Sequence, residues 1–472
     1  MGHHKHNASR RRFMGQAACA AVGTTTLFSS INSLGMLNAL ARPKPFAFPP
    51  MNDGYRAMVC VLLGGGNDSY NMLVPTTGEA YDIYAASRSN LALPQSDLLG
   101  LNYTDGDGYQ YGLHPAMPEM QALFDDSKLA MIANVGTLIE PVTKAQILAG
   151  TAPLPLGLLS HSDQVRHWQT SMPHTRSAKG WGGRMADILY TLNDSQDVSM
   201  SISLSGTNIF QAGNTVQEFA VTPNGSVGIG TLTGSGFLAE TLGAGVQSLL
   251  DQEYFDLFKQ TYATKVNSSQ GQHEAFAAAI EGLSPFVTSF PGDRFGQNLN
   301  MVAQSIAAAP ALGMNRQIFF VHFGGWDHHD EVLGNQEFSL SSLSQGLASF
   351  QATMEELGLD DCVTTFTISD FARTLTSNGN GTDHGWGGNC MVMGGAVNGG
   401  QMYGSYPTLQ LDSDLEVGGG VLIPTMSTDV YFAELCLWFG LDPTNLTDVL
   451  PNIENFYTYE PDAPYPVGFM NY

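Results

Sequence analysis

Cysteine is scarce in this chain, with five among 472 residues. One of them, Cys19, precedes the predicted mature start. The other four, Cys60, Cys362, Cys390 and Cys436, form no C-x-x-C pair, and three lie in apolar runs. That pattern argues against a disulfide framework in a chain this long, and the three in apolar runs read as core thiols. Basic residues are also few: 19 Lys and Arg stand against 43 Asp and Glu, for a formal net charge of −24. Nucleic acid or an anionic membrane is therefore a poor partner. No segment beyond the leader reaches the roughly 18 apolar residues needed to span a bilayer, so no transmembrane anchor is expected.

What is present points to a large folded protein. Hydrophobic residues make up 43% and aromatics 10%, enough for one large domain or two. The N-terminus reads as an export signal. Ser9-Arg-Arg-Arg-Phe-Met14 matches the twin-arginine motif, an acid-free apolar stretch follows, and Ala39-Leu-Ala41 offers a cleavage site. We therefore expect a signal peptide over 1–41 and a mature chain of 42–472 in the periplasm or outside the cell. Residues 42 to 54 are Pro-rich and read as a linker.

Apolar runs mark the strands. Tyr55–Leu63, Lys128–Val135, Gln317–Phe323, Cys362–Ile368 and Cys390–Gly394 read as buried strands, and Val198–Leu204 alternates like a half-exposed one. Helices are predicted over Ala116–Phe124, from Ser160 or Ser162 to Thr170, over Gln336–Leu357 and over Val430–Phe439. The order strand, helix, strand near the C-terminal half is that of a parallel sheet. Residues from about 190 to 300 differ: Gly and Ser are dense from Pro223 to Gly236, and helical periodicity runs from Leu238 to Gly282. This stretch reads as an insertion or lid on a single α/β domain.

The candidate chemistry lies where strands empty into glycine-rich loops. Asp68 follows Gly64-Gly-Gly66, with no Lys or Arg close by in sequence. Asp327 and His329 follow Gly324-Gly-Trp326. Asp370 and Arg373 follow the strand ending at Ile368, and Asp383-His384 lies in a Gly/Trp loop ten residues on. Acids and imidazoles at the carboxyl edge of a parallel sheet are well placed to bind a divalent metal. Such a set could hold two ions roughly 4 Å apart across a phosphoryl or sulfuryl centre, with Arg373 neutralising an oxygen. Ser160 and His161, at the start of a predicted helix, are the candidate nucleophile and its neighbour, with Ser69 second. Turn acids and buried, hydrogen-bonded histidines account for any one of these residues equally well. Asn102–Tyr109 resembles half of a calcium loop but has no distal Glu, so it reads as an ordinary turn.

Six ordered stretches carry a resemblance. They are Gly65-Gly-Asn-Asp-Ser-Tyr-Asn71, Gly112-Leu-His-Pro115, Ser160-His-Ser-Asp-Gln164, Gly324-Gly-Trp-Asp-His-His329, Ser369-Asp-Phe-Ala-Arg-Thr374 and Gly381-Thr-Asp-His-Gly-Trp-Gly387. Together with the leader they make the chain similar to the bacterial family called domain of unknown function 1501, over nearly all of the mature sequence. That family looks like a branch of the alkaline phosphatase and sulfatase superfamily. The resemblance implies a mostly parallel sheet flanked by helices and a one- or two-metal site at its edge. It also implies Asp68 and Asp370 on one metal, and Asp327, His329 and His384 on the other. The family pattern Asp-Thr-His stands here as Asp327-His328-His329, and Ser-Glu-Phe-Gly-Arg as Ser369-Asp-Phe-Ala-Arg373. A formylglycine mechanism is disfavoured, because Ser171-Met-Pro-His-Thr-Arg176 misses its pattern by one residue.

The leading expectation is an exported hydrolase of phosphate or sulfate esters, small-molecule or glycan. Its cofactor would be a divalent metal, zinc first, with calcium or manganese as alternatives. The rivals are a non-catalytic envelope or secretion-associated protein that keeps the fold and binds a protein partner, and a metal-dependent glycan-binding protein.

Overall fold

The computed structural model describes residues 54–233, 236–460 and 464–472. The predicted signal peptide and nearly all of the linker lie outside the described residues. The chain divides into two compact units, one holding residues 228–274 and the other holding 54–227 with 275–472.

The larger unit is built on a ten-stranded sheet. Its principal strands are β1 (Arg56–Gly64), β2 (Leu129–Gly136), β3 (Ser201–Ser203), β4 (Phe219–Thr222), β5 (Arg316–Gly324), β6 (Val363–Ser369) and, after a small hairpin of β7 (Arg373–Ser377) and β8 (Thr382–His384), β9 (Gly388–Met393). Across the sheet they run β2, β9, β6, β1, β5, β3, β4. β1 pairs in parallel with β5 and β6, and β3 in parallel with β4 and β5. β9 runs antiparallel to both β6 and β2, between which it lies. β1 is the centre, and its run of apolar side chains is buried on both faces, as a parallel strand covered by two helical layers requires.

The period-two alternation of strands decides which layer each side chain meets. Phe320 and Phe366 face Phe210 and Trp181, and Trp181 stacks on Phe432 at 4.5 Å between centroids. Phe323, on the opposite face, stacks on Phe295 at 4.6 Å. The helices concerned are α1 (Gly78–Arg88), α2 (Pro118–Asp125), α3 (His161–Thr170), α4 (Trp181–Leu189), α5 (Arg294–Ala307), α6 (Val332–Glu356) and α7 (Thr428–Phe439). The last starts on a Ser427 side chain that accepts from Val430 N and stops at Gly440, whose φ of 107° only glycine adopts readily.

The predicted half-exposed strand at Val198–Leu204 is shorter and wholly buried. Its three residues Ser201–Ser203 pair with β5 on one side and β4 on the other, and the hydroxyl of Ser203 donates to Gly206 O. The Asp105 carboxylate closes its own turn on the amides of Asp107 and Tyr109, as an ordinary polar loop does. The helical periodicity from Leu238 to Gly282 resolves into two helices, Phe237–Leu250 and Leu257–Glu281.

Candidate metal centre

β1, β5 and β6 end in register at one edge of the sheet, with Leu63 beside Phe323 and Ser369. The chain leaving β5 crosses the end of β1 through Trp326 and Asp327. Only glycine fits beneath it: a Cβ on Gly65, where φ is +121°, would stand 2.5 Å from Asp327 N. The hairpin of β7 and β8 closes over the same edge. Gly381 lets it pass, since a Cβ there would stand 2.3 Å from the carbonyl carbon of His329.

Four side chains meet at this edge. His161, Asp327, His329 and His384 each offer one ligand atom, and these atoms all lie within 4.8 Å of one another. His329 Nε2 is 3.0 Å from Asp327 Oδ1 and 3.0 Å from His384 Nε2. His161 Nε2 is 3.4 Å from Asp327 Oδ2, and His384 Nε2 is 3.8 Å from Asp327 Oδ1. A tetrahedron of ligands about 2.0–2.1 Å from zinc has edges of roughly 3.3 Å, so these separations suit one small cation.

Each imidazole is aimed by its other nitrogen. His161 Nδ1 donates to Asp370 Oδ2 at 2.7 Å, and the second Asp370 oxygen accepts from Gly65 N at 3.0 Å. His384 Nδ1 donates to Leu159 O at 2.7 Å. His329 Nδ1 donates to Asp383 Oδ1 at 3.3 Å. Carboxylates and carbonyls only accept, so these partners put the ring protons on Nδ1 and turn three Nε2 lone pairs inward. His161 Nε2 is buried with no hydrogen-bond partner. Leu159 holds a left-handed φ of 71°, strained for a leucine, and its carbonyl is the one His384 uses.

Arg373 lies beneath the four. Its fully buried guanidinium donates to Asp327 Oδ1, to Gly65 O, and to Gly66 O at 2.9 Å. Burial alone would raise the Asp327 carboxyl. The hydrogen bond and charge of Arg373, with His161 and His329, outweigh it and hold the group below the usual carboxylate range. Burial holds the His384 imidazole below its ordinary value against the pull of the Leu159 carbonyl, and the charge of Arg373 adds to it. An ionised carboxylate beside a neutral imidazole is the state that binds metal.

The sequence-predicted residues sort as follows. Asp327, His329 and His384 face one point, and His161, expected beside a nucleophile, joins them as the fourth member. His328 is buried away from the cluster beside Trp326. Asp370 and Asp383 orient His161 and His329 by hydrogen bonds. Asp68 goes elsewhere. The expectation that it has no basic partner is corrected by Arg88, 20 residues on at the end of α1, whose buried guanidinium donates to Asp68 Oδ2. Ser160 sits at the N-terminal cap of α3 without capping it, its hydroxyl 3.3 Å from that of Ser162. Ser69 is buried and accepts from Asn389 N. The Leu159 carbonyl and Arg88 carry no signal readable from sequence. The place of His161 at a helix start was such a signal.

A cavity of about 600 Å³ opens beside the cluster, on the α3 face of the sheet edge. Leu62, Val165, Ile209 and Phe320 form its apolar wall, and Gln169, Ser205, Asn208 and His322 its polar one, with Asp327 and Asp370 at the end next to the cluster. No Lys or Arg is among its lining residues. Burial lowers the pKa of His322 while the Asp370 charge raises it less.

A family model described as "Protein of unknown function (DUF1501)" matches residues 55–450. No curated protein matches the sequence. Among solved structures, the chain is similar to the integral membrane lipooligosaccharide phosphoethanolamine transferase A of Neisseria meningitidis, with 10% identity and a TM-score of 0.34. That match covers 84% of this chain and 56% of the transferase, so the chain spans little more than half of that protein's length. It is also similar to a sulfatase from Pseudoalteromonas sp., at 9% identity and a TM-score of 0.32, over 88% of this chain and 71% of the sulfatase. No helix among the described residues is long and apolar enough to cross a membrane.

Proposed function

The chain belongs to the DUF1501 family, which its family description leaves without a function, and we propose that it is an exported, metal-dependent hydrolase of phosphate or sulfate esters. One observation carries the reading. Four ligand atoms from three distant stretches of chain meet within 4.8 Å of one another at the carboxyl edge of a mostly parallel sheet, beside an open cavity. Export to the periplasm or beyond rests on the twin-arginine motif of the leader.

Asp327 and the Nε2 atoms of His161, His329 and His384 would hold the ion. Three imidazoles and one carboxylate suit zinc, or manganese, and not calcium, which takes oxygen ligands. A divalent ion there supplies Lewis-acid charge and brings the pKa of a water toward neutrality. The protein's own part is to present and aim the ligands. Asp370, Asp383 and the Leu159 carbonyl hold the imidazole protons on Nδ1, and Arg373 keeps Asp327 ionised. The Asp327 side chain is 47% exposed, so the cluster is open to a substrate oxygen. The cavity receives the organic part of the ester. Among the described residues no Ser or Thr hydroxyl is hydrogen-bonded to any of the four, which favours water as the attacking group.

The test compares wild type with Asp327→Asn and His384→Ala for bound zinc and for turnover of 4-nitrophenyl esters. Both variants are expected to keep the wild-type circular dichroism and to lose metal and activity together. A wild type that binds no zinc would end this reading in favour of the non-catalytic envelope protein.

A further inference from the structure

The helix over Phe237–Leu250, in the smaller unit, carries two apolar stripes and a single charge, Glu240. One stripe, Ala239, Gly243, Val246 and Leu250, is partly or fully buried. The other, one position back, is Leu238, Leu242, Gly245 and Leu249, and it faces water. Leu238 is 70% exposed, Leu242 52% and Leu249 57%. A helix apolar on more than one side belongs in an interior, so the second stripe lacks its cover. It is held in place for one: Tyr254 Oη donates to Leu249 O at 2.6 Å and Asn267 Nδ2 to Leu250 O at 3.2 Å.

The spacing says what the cover is. Steps of four, three and four residues are those of a coiled-coil seam, which packs against another helix. This seam also reads the same from either end. Leu238 and Leu249 lie equally far from a point between Gly243 and Ala244, and so do Leu242 and Gly245. An antiparallel copy turned about that point sets Leu238 against Leu249 and Leu242 against Gly245. Gly245 fits such a pairing. Glycine weakens the middle of a helix, and a Cβ there would meet nothing within 4 Å in its own chain. Opposite a second Leu242 it leaves the room that leucine fills.

The area agrees. With Phe237, Phe258 and Tyr262, the three leucines of the seam leave roughly 800 Å² of side chain in water. That exceeds the largest apolar patch of an ordinary monomer and matches what each partner brings to a standard interface. The seam itself bears no charge, so two acidic copies meet there without opposing carboxylates. A lipid-binding helix would flank its apolar face with Lys and Arg, and this one has neither.

We propose that a second copy of this chain covers the seam, as an antiparallel helix pair about a two-fold axis between Gly243 and Ala244. The pairing is independent of the metal centre and of the hydrolase reading.

The experiment is sedimentation equilibrium of the mature chain at physiological ionic strength, with circular dichroism to confirm that each variant is folded. Wild type is expected to be a dimer at about 100 µM. Leu238→Lys and Leu249→Glu are each expected to weaken it by roughly tenfold or more. The double variant Leu238→Lys/Leu249→Glu should recover most of the loss, because each lysine then meets a glutamate of the other copy; in a parallel pair lysine would meet lysine. Gly245→Leu should also dissociate the dimer by overfilling the seam. A wild type monomeric at that concentration, a dimer indifferent to these substitutions, or a double variant no better than the singles overturns the proposal. A monomer that floats with phosphatidylcholine vesicles would give the seam to lipid instead. A seam that becomes protected only in the chain bearing residues 1–41 would give it to the leader.

Discussion

Single residues here act through the atom they present. Asp370 is informative because it is nearly buried and touches no ligand point directly; it fixes which nitrogen of His161 carries the proton. Asp370→Asn offers an amide in place of the carboxylate, which weakens that control. We expect zinc affinity to fall on the order of 10- to 100-fold with the fold intact, as outer-shell changes do, measured by calorimetric titration. His114 gives a pH prediction away from the site. Burial pushes its imidazole down to about 4, and its Nδ1 accepts from Ala116 N, which requires the neutral ring. The unfolded chain binds this proton at an ordinary His pKa of about 6.5 and the folded chain does not. Stability is therefore complete above about pH 6.5 and falls as pH drops toward 4, by about 3 kcal/mol from this group. Denaturant melts at pH 7 and pH 4.5 should show that loss shrinking in His114→Asn.

At the scale of elements, the strands were the most legible part of the sequence. β1, β2, β5 and β6 announce themselves as apolar runs that end in glycine or in an acid, and the structure places them within a residue or two of expectation. β3 was harder. Its serines alternate with apolar residues and mimic a half-exposed strand, but neighbours on both edges bury it. The site was legible in its first members, because Asp and His after a glycine loop at a strand end are visible one loop at a time. What sequence could not show is pairing between distant elements: Arg88 at the end of α1 reaching Asp68, and the loop before α3 bending Leu159 into a left-handed conformation to meet His384. The element scale also carries a stability prediction. Burial of Asp429 in the first turn of α7 pushes its carboxyl from 3.8 up to about 7, against the pull of Ser171 and Arg184. A raised folded pKa means stability that is present below pH 4 and lost as pH rises to 7. Asp429→Asn should therefore stabilise at pH 8 by roughly 2–4 kcal/mol, with the gain growing between pH 4 and 7 and flat above, measured by urea melts.

On the scale of the whole molecule, the cluster joins the N-terminus of α3, the loop after β5 and the end of β8, and binding there favours the folded state by mass action. At zinc a hundredfold over its Kd the gain is about 2.7 kcal/mol. Calorimetric scans should show a rise of a few degrees in wild-type Tm with zinc and none in Asp327→Asn; an equal rise in both would place the ion elsewhere. The strongly acidic chain, with 43 acids to 19 bases, also draws cations toward this edge at low salt, so the zinc association rate should fall as ionic strength rises. The spread of the donors along the sequence sets a schedule for loading. A nascent chain that has not yet reached His384 lacks one of the four proposed ligands, with His161, Asp327 and His329 already made. An ion held by all four would gain its last ligand only once His384 has left the ribosome and the sheet edge has closed, which would make its full seating a late event in the protein's maturation.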